Sequence, residues 1–438
     1  MALKILLVIL DGLGDWPCAE LGGLTPLQAA RTPHMDALAA RGSNGLLSSL
    51  GAGVVACSEE AHYALFGYPP EAFPGRGVLE ALGEGIPLAP STISMRASLA
   101  ITREEGGRVL VVERKGRYRE EECEPLARAI ARWAGWGYEF RYHYTGQGDG
   151  LLFVEGGASP YITDTDPFRD GAPVIAPQPT AEAADPEGAR RTAEALGAYL
   201  RWARGELLAH PGNGRRRAAG EGAYDFLLTK WAGRQKRVLP FSQRTGLRGG
   251  AVEPSTLYRG IARALGIEPL EHEAAADLEA DIRSRLRRAL RALDEGYDFV
   301  YVHSKAPDEA AHRRDPREKR ETIEAVDRAL SEVARRLSGP EGGDLIFVLT
   351  SDHSTPCASE MIHAGDAVPL LAVGPTVRRD AVERFDELSA AAGALGHLRG
   401  WDLMPLLLNW ANRGKRAGLR PTAEQTLCSP PDVAPFRP

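Results

Sequence analysis

Three short apolar runs in this sequence end in the same way, on acidic or imidazole side chains, and that recurrence leaves few folds open. Ile5–Leu10 leads into Asp11, Phe299–Val302 into His303-Ser304-Lys305, and Leu345–Leu349 through Thr350 into Ser351-Asp352-His353. Runs that are apolar at every position read as strands covered on both faces, which is the habit of parallel sheets. In open α/β sheets, ligands collect at the carboxyl ends of the strands. Three strand ends that deliver Asp and His to one edge therefore predict an active site along that edge.

Amphipathic helices separate these strands. The clearest spans Pro316–Leu337, with Ile323, Val326, Leu330, Val333 and Leu337 at spacings of three and four, opened by Asp315-Pro316 as N-cap and first-turn proline. Thr25–Arg41, Ser255–Leu265 and Leu278–Leu293 read as further helices. The middle of the chain has another texture. Pro87–Arg119 alternates apolar and polar residues, Glu122–Ala134 reads as a helix, Gly150–Val154 as a strand and Ala176–Asp185 as a Pro/Ala-rich turn region. At 438 residues the chain exceeds what one core usually holds. The expected fold class is α/β, with a mostly parallel sheet between helices formed by residues 1–85 and 216–438. A smaller α+β domain, residues 86–215, is inserted into it.

A net charge of -6 argues against a general nucleic-acid binder while leaving room for a local basic pocket that takes a small anion. The five cysteines are scattered and never form a C-x-x-C pair, which argues against a disulfide framework and a cysteine zinc site. The run Lys4–Leu10 has no small-residue cleavage site close behind it. No apolar stretch reaches the roughly 18 residues of a membrane helix. The expectation is a cytoplasmic enzyme with neither membrane nor nucleic-acid partners, its oligomeric state left open.

Asp308 and His312 are four residues apart, so one helical turn puts both on one side. Asp352 and His353 follow a strand directly, and His363 lies in the turn-rich stretch His363–Pro369. With Asp11 these make three carboxylates and three imidazoles, an O/N donor set that suits Zn, Mn or Mg and suffices for two ions. Each has an ordinary alternative on its own: Asp11-Gly12 suits a turn, Asp308 a helix cap, and His353 a hydrogen-bonded structural role. Metal binding is read from their joint placement at three strand ends.

The segment Val302–His312, with Asp308 and His312, resembles the Asp-x-x-x-His motif of the alkaline phosphatase superfamily, as does Thr350–Pro356 followed by His363. Within it the chain is similar to the archaeal-type cofactor-independent (2,3-bisphosphoglycerate-independent) phosphoglycerate mutases. The residues that carry this are Asp11–Asp15, Leu21–Leu27, Thr32–Asp36, Phe66-Gly67-Tyr68, Gly75-Arg76-Gly77 and Ile162–Pro167. The resemblance runs through nearly the whole chain, inserted domain included. It implies an alkaline-phosphatase-like core, with the insert as a substrate-binding cap domain. It implies two divalent ions, Mn, Zn, Mg or Co, and no requirement for 2,3-bisphosphoglycerate. It also implies Ser58, in Ala56-Cys57-Ser58-Glu59-Glu60-Ala61-His62, as the nucleophile. Asp11, Ser58, Asp352 and His353 would surround one ion, and Asp308, His312 and His363 the other.

The implied reaction passes a phosphoryl group through a phosphoserine and interconverts 3- and 2-phosphoglycerate, a step of glycolysis and gluconeogenesis. The alternative is a metal-dependent phosphomonoesterase or phosphotransferase acting on another small phosphorylated acid. A mutase must also shield the phosphoserine from water, for which the inserted domain is the candidate cover. Arg96, Arg114, Arg117 and Arg216, with Lys305 beside the ions, are the implied anchors for phosphate and carboxylate. The sequence departs from the family at three places. Pro-Gly-Ser-Asp is Ala56-Cys57-Ser58-Glu59, Arg-Gly-Ala-Gly is Lys230-Trp231-Ala232-Gly233, and a His-Arg pair is replaced near Gly146-Gln147-Gly148-Asp149. The metal and nucleophile set is intact, whereas the substrate-reading set is altered.

Overall fold

The structure, a computed structural model, describes residues 3–253, 255–414 and 437. It divides into two compact units, one formed by the chain up to Phe73 together with the chain from Val238 onward, the other by Pro74–Arg237. The second unit is wider at both ends than the 86–215 expected from sequence, because the helix Arg76–Gly83 packs within it and the strand Tyr224–Arg234 completes its sheet.

The first unit is built on an eight-stranded sheet. Its order is Glu268–Pro269, Gly249–Val252, Phe299–Ser304, Lys4–Leu10, Leu345–Thr350, Val368–Val373, Ser43–Ser48 and Gly396–Arg399. Only Val368–Val373 runs against the rest, pairing antiparallel with both neighbours. The three runs singled out in the sequence are adjacent parallel strands at its centre. Leu10 pairs with Ser304 and Ile9 with Thr350, so Asp11, Lys305 and Asp352 leave the sheet at one level. Their side chains are buried throughout apart from Lys4, as strands covered on both faces require.

One face is covered by Leu278–Asp294 and Pro316–Ala329, whose Ile282, Leu286, Ile323 and Val326 share a core with Leu6, Val8, Val300 and Phe347. Asp315 caps the latter helix by accepting from the amides of Arg317 and Glu318. The apolar stripe predicted for a single helix to Leu337 is buried as expected, but the helix breaks at Leu330 and resumes as Ser331–Ser338. The expected helix over Thr25–Arg41 is likewise two short helices, Pro26–Ala29 and Pro33–Ala39, each starting on a proline.

The second unit carries a six-stranded sheet in which Ile93–Glu105 is central, pairing antiparallel with Asp149–Glu155, Tyr224–Arg234 and Arg108–Glu113. A 24-residue helix, Pro186–Ala209, covers it, and Tyr199 stacks on Phe140 with ring centroids 4.9 Å apart. The expected helix Glu122–Ala134 is Glu120–Ala129, and the residues after it form the strand Arg132–Gly135. Trp136 and Gly137 both have positive φ, the backbone of a tight hairpin turn that sends the chain back as Tyr138–Gly146. Among the described residues no helix is long and apolar enough to cross a membrane.

Candidate metal centre and nucleophile

Asp11 is the first residue beyond its strand, and its amide still donates to Ser304 O at 2.9 Å. The chain then turns through Gly12 at φ +62°, where a Cβ would lie 2.5 Å from Thr355 Oγ1 and 2.8 Å from Asp308 Oδ1. Only glycine lets the loop approach both. Gly12 N donates to Asp352 Oδ1 at 3.1 Å and Leu13 N to Ser351 Oγ at 3.0 Å, which ties this loop to the one after Leu345–Thr350. Asp11 and Asp352 are fully buried; Asp11 Oδ2 accepts from the Tyr258 hydroxyl at 2.6 Å and lies 3.4 Å from His303 Nε2.

Asp308, on the short helix Ala306–His312, accepts from Thr355 Oγ1 at 2.8 Å through Oδ1. His312 Nε2 is 3.3 Å and His363 Nε2 3.8 Å from the same oxygen. His353 lies between the carboxylates: its Nε2 is 3.2 Å from Asp11 Oδ1, 3.5 Å from Asp352 Oδ2 and 3.1 Å from Ser58 Oγ. Its ring stacks on His363 at 3.7 Å. Ser58, buried, is the first residue of the helix Ser58–Leu65, whose N-terminal amides favour negative charge nearby. Lys305 Nζ is 3.4 Å from Asp308 Oδ2 and 3.9 Å from Asp11 Oδ2.

Two groups converge closely enough to share an ion: Asp11, Asp352 and His353, and Asp308, His353 and His363. His353 belongs to both, whereas His312 stands outside them, its side chain 42% exposed beside Asp308. A divalent cation fits this donor set for a reason in the hydrogen bonding. Asp11 Oδ1, Asp308 Oδ2 and Asp352 Oδ2 are buried and accept no hydrogen bond, with only His353 Nε2, at 3.2 and 3.5 Å, and Lys305 Nζ, at 3.4 Å, as cationic neighbours of these three oxygens among the described residues. Buried carboxylate oxygens are otherwise nearly always satisfied by donors, by cations or by metals.

The electrostatics point the same way. Burial pushes Asp352 up to about 6, and the neighbouring Asp11 charge adds to it. Asp11 is itself held well below the carboxylate range, since the imidazoles of His303 and His353 outweigh its burial. Burial works against a charged His353, but Asp352 and Asp11 together raise it to about 9. Burial lowers His363 and His303 to about 4, so both are neutral near pH 7, and His363, whose Nδ1 donates to Ala56 O at 2.8 Å, presents Nε2 as a lone-pair donor. A divalent ion supplies the charge that the His353 proton supplies otherwise, so its binding would release that proton. Lys305 is raised, because Asp11 and Asp308 outweigh the cost of its burial.

In the second unit, Arg114 forks onto both oxygens of buried Asp166, at 2.7 and 2.8 Å, and Lys230 Nζ adds a contact at 2.7 Å. Phe168 and Trp231, both at positive φ, lie beside these cations. Arg96 is paired with Glu80 and Asp149, and Arg117 is exposed. Arg216, expected to hold substrate, is buried and bonded to Gly222 O, Glu122 and Glu221, the geometry of a structural tie. The sequence reading missed Tyr258, His303 as a neighbour of Asp11, and Thr355 as the link between Asp308 and His353. His303 alone carried a signal, its place at a strand end.

A parallel-centred sheet whose carboxyl edge gathers carboxylates, imidazoles and a buried serine defines a metal-dependent enzyme of the alkaline-phosphatase type. Comparison with known proteins narrows this. The Metalloenzyme superfamily model matches residues 3–410. The chain is 40% identical over 420 residues, 95% of its own length and 98% of the relative's, to the 2,3-bisphosphoglycerate-independent phosphoglycerate mutase of Methanopyrus kandleri. Among solved structures, a Pyrococcus horikoshii protein matches with a TM-score of 0.79 and 32% identity, covering 96% of this chain and 100% of that one. The cofactor-independent phosphoglycerate mutase of Thermoplasma acidophilum matches with a TM-score of 0.66 and 32% identity, covering 93% and 100%. The chain belongs to the 2,3-bisphosphoglycerate-independent phosphoglycerate mutase family of that superfamily.

Proposed function

We propose that this protein interconverts 3-phosphoglycerate and 2-phosphoglycerate by phosphoryl transfer through Ser58, with two divalent ions and without 2,3-bisphosphoglycerate. The observation that carries the reading is the trio of buried carboxylate oxygens without hydrogen bonds, Asp11 Oδ1, Asp308 Oδ2 and Asp352 Oδ2, beside a buried serine hydroxyl. Asp11, Asp352 and His353 are the proposed ligands of one ion, with Ser58 Oγ completing its sphere. Asp308 and His363 hold the other, and His312 joins them from the exposed side. Bound divalent ions would lower the pKa of the serine hydroxyl and offset negative charge on the transferring phosphoryl group.

Ser58 Oγ gives up its proton and attacks phosphorus, the bond from phosphorus to the glycerate oxygen breaks, and that oxygen takes up a proton to become a hydroxyl. The other glycerate hydroxyl loses its proton and attacks the phosphoserine, the bond from phosphorus to Ser58 Oγ breaks, and Oγ takes up a proton to restore the serine. The proposed role of Lys305 is to place a positive charge beside the phosphoryl oxygens. Arg114 and exposed Arg117 of the inserted unit are proposed as anchors for a phosphate or carboxylate of the substrate, with Arg96 as a third cation. Arg216, buried as well as tied to Gly222 O, Glu122 and Glu221, is left out of that set, whereas Arg114 and Arg96 are partly open to solvent.

The deciding experiment incubates the purified protein with Mn²⁺ and 3-phosphoglycerate and resolves 2-phosphoglycerate from free phosphate. Production of 2-phosphoglycerate without added 2,3-bisphosphoglycerate supports the mutase. Release of phosphate alone replaces it with a phosphomonoesterase on the same site.

A further inference from the structure

Lys319 is the one lysine of this chain whose side chain is wholly buried among the described residues, and so is its partner Asp15. It rises from the helix Pro316–Ala329, and its ammonium group has three acceptors: Gly14 O at 3.0 Å, Asp15 Oδ2 at 2.9 Å and Thr355 O at 3.0 Å. An ammonium has three protons, so the group is fully satisfied. Two of its acceptors belong to the loop after Lys4–Leu10, which carries Asp11. The third belongs to the loop after Leu345–Thr350, which carries Asp352 and His353. Asp15 spans the same gap in the other direction, its carboxylate accepting from the amides of Trp16, at 2.7 Å, and Cys357, at 3.1 Å. Thr355 N in turn donates to Gly14 O at 2.9 Å.

A buried ion pair is a poor source of stability, since apolar residues of similar size often serve as well or better. What this one fixes is position. Thr355, gripped at its carbonyl, donates from its hydroxyl to Asp308 Oδ1 at 2.8 Å and lies 3.2 Å from His353 Nδ1. One lysine thus acts on the loop of Asp11, the loop of Asp352 and His353, and through Thr355 on Asp308.

We propose that Lys319, with Asp15, is a positioning residue of the metal centre, locking the two ligand-bearing loops in register and setting the orientation of Asp308 and His353 through Thr355. The inference rests on the reading of these residues as metal ligands. Partners of metal ligands typically change metal affinity by about 10- to 100-fold when removed. That range is the expected effect here.

Because Lys319→Met alone strands a buried carboxylate, the test uses the charge-balanced pair Asp15→Asn/Lys319→Met, with Thr355→Val as a second variant that leaves the ion pair in place. Mn²⁺ affinity is measured by titration, the visible absorption of the Co²⁺-loaded protein reports ligand geometry, and calorimetry follows the metal-free fold. Both variants are expected to bind Mn²⁺ about 10- to 100-fold more weakly and to shift the Co²⁺ band. A merely structural lysine would lower the metal-free melting temperature and leave affinity and band unchanged. Wild-type protein that binds neither ion defeats the metal-site reading itself. Wild-type binding of both, with unchanged affinity and band in the variants, overturns the positioning role alone. Should the paired variant not fold, Lys319→Arg, which keeps the charge but not the compact ammonium that meets three acceptors, decides the question by the same two readouts.

Discussion

Glu253 follows the strand Gly249–Val252, is 5% exposed, and has the ring of His303 between it and Asp11. Burial pushes its carboxyl up to about 8, against the smaller opposing effects of the Tyr301 hydroxyl and of Arg285. A folded-state pKa above the unfolded value means that the native protein binds this proton more tightly than the unfolded chain does. The associated stability is present in full below about 4.5 and is lost as pH rises through about 8. At about 1.4 kcal/mol per pH unit the interval amounts to about 5 kcal/mol, a ceiling that water penetration reduces. Glu253→Gln keeps the shape and removes the titration. The variant is expected to melt close to wild type at pH 5 and higher at pH 8.5, by up to about 10 °C at roughly 2 °C per kcal/mol. His303, held near 4 by burial, works the other way, adding stability as pH rises toward its ordinary value. That contribution is common to both proteins, so the difference between them isolates Glu253. Calorimetry of the metal-free proteins at pH 5, 6.5 and 8.5 reads it. A difference in melting temperature that stays constant across that range refutes the argument.

Ser58→Ala should lower turnover by about 10⁴-fold or more while costing only about 1 kcal/mol of stability, since the hydroxyl is needed for attack but makes one hydrogen bond. Mutase kinetics alongside Mn²⁺ content check it, and turnover near wild type would end the nucleophile assignment. Asp308→Asn should lose one of two bound ions first, because a neutral amide is a weaker ligand for a hard cation; elemental analysis of the dialysed variant counts them. Arg114→Ala leaves Asp166 with Lys230 as its remaining cationic partner among the contacts at that carboxylate. It should raise KM for 3-phosphoglycerate and increase the fraction released as free phosphate, with Ser58 still phosphorylated, as product analysis and phosphoenzyme trapping will report.

The ligand-rich edge was legible because a parallel strand covered on both faces has to be apolar until it leaves the sheet. The first Asp or His after such a run therefore marks the edge itself. Asp11 and Asp352 follow that rule, and the register between their strands puts them at one level, whereas His303 pairs with Ile9 inside its own strand. Tyr258 does not, since a tyrosine on the buried face of Thr256–Leu265 looks the same in sequence whether it packs in a core or donates to Asp11. The overrun of the helix beyond Ala129 has a local cause. Ala129 to Ala134 continues a helical pattern, and the chain reverses only at Trp136-Gly137, where a tryptophan adopts a positive φ that sequence rules assign to Gly, Asn or Asp. Lys230 was visible only as a departure from the family, because its partner Asp166 is 64 residues away in the chain.

That departure falls in the inserted unit, whereas Ser58 and the proposed metal ligands belong to the other. A ligand to an ion is fixed by charge, donor atom and position together, and the proposed ligands Asp11, Asp308, Asp352, His353 and His363 converge closely enough to satisfy all three. Where the family carries Arg, Lys230 retains the charge and gives up the planar fork. The structure shows where the fork remains: Arg114 takes both oxygens of Asp166, and the lysine needs only the single contact it makes at 2.7 Å. Replacing a fork by a point charge weakens directional recognition of a carboxylate or phosphate more than it weakens attraction to one. The consequence of Lys230 should therefore appear in how tightly and selectively substrate is held, and not in the rate at which Ser58 accepts the phosphoryl group. Lys230→Arg, read as a change in KM at constant kcat, tests that division directly.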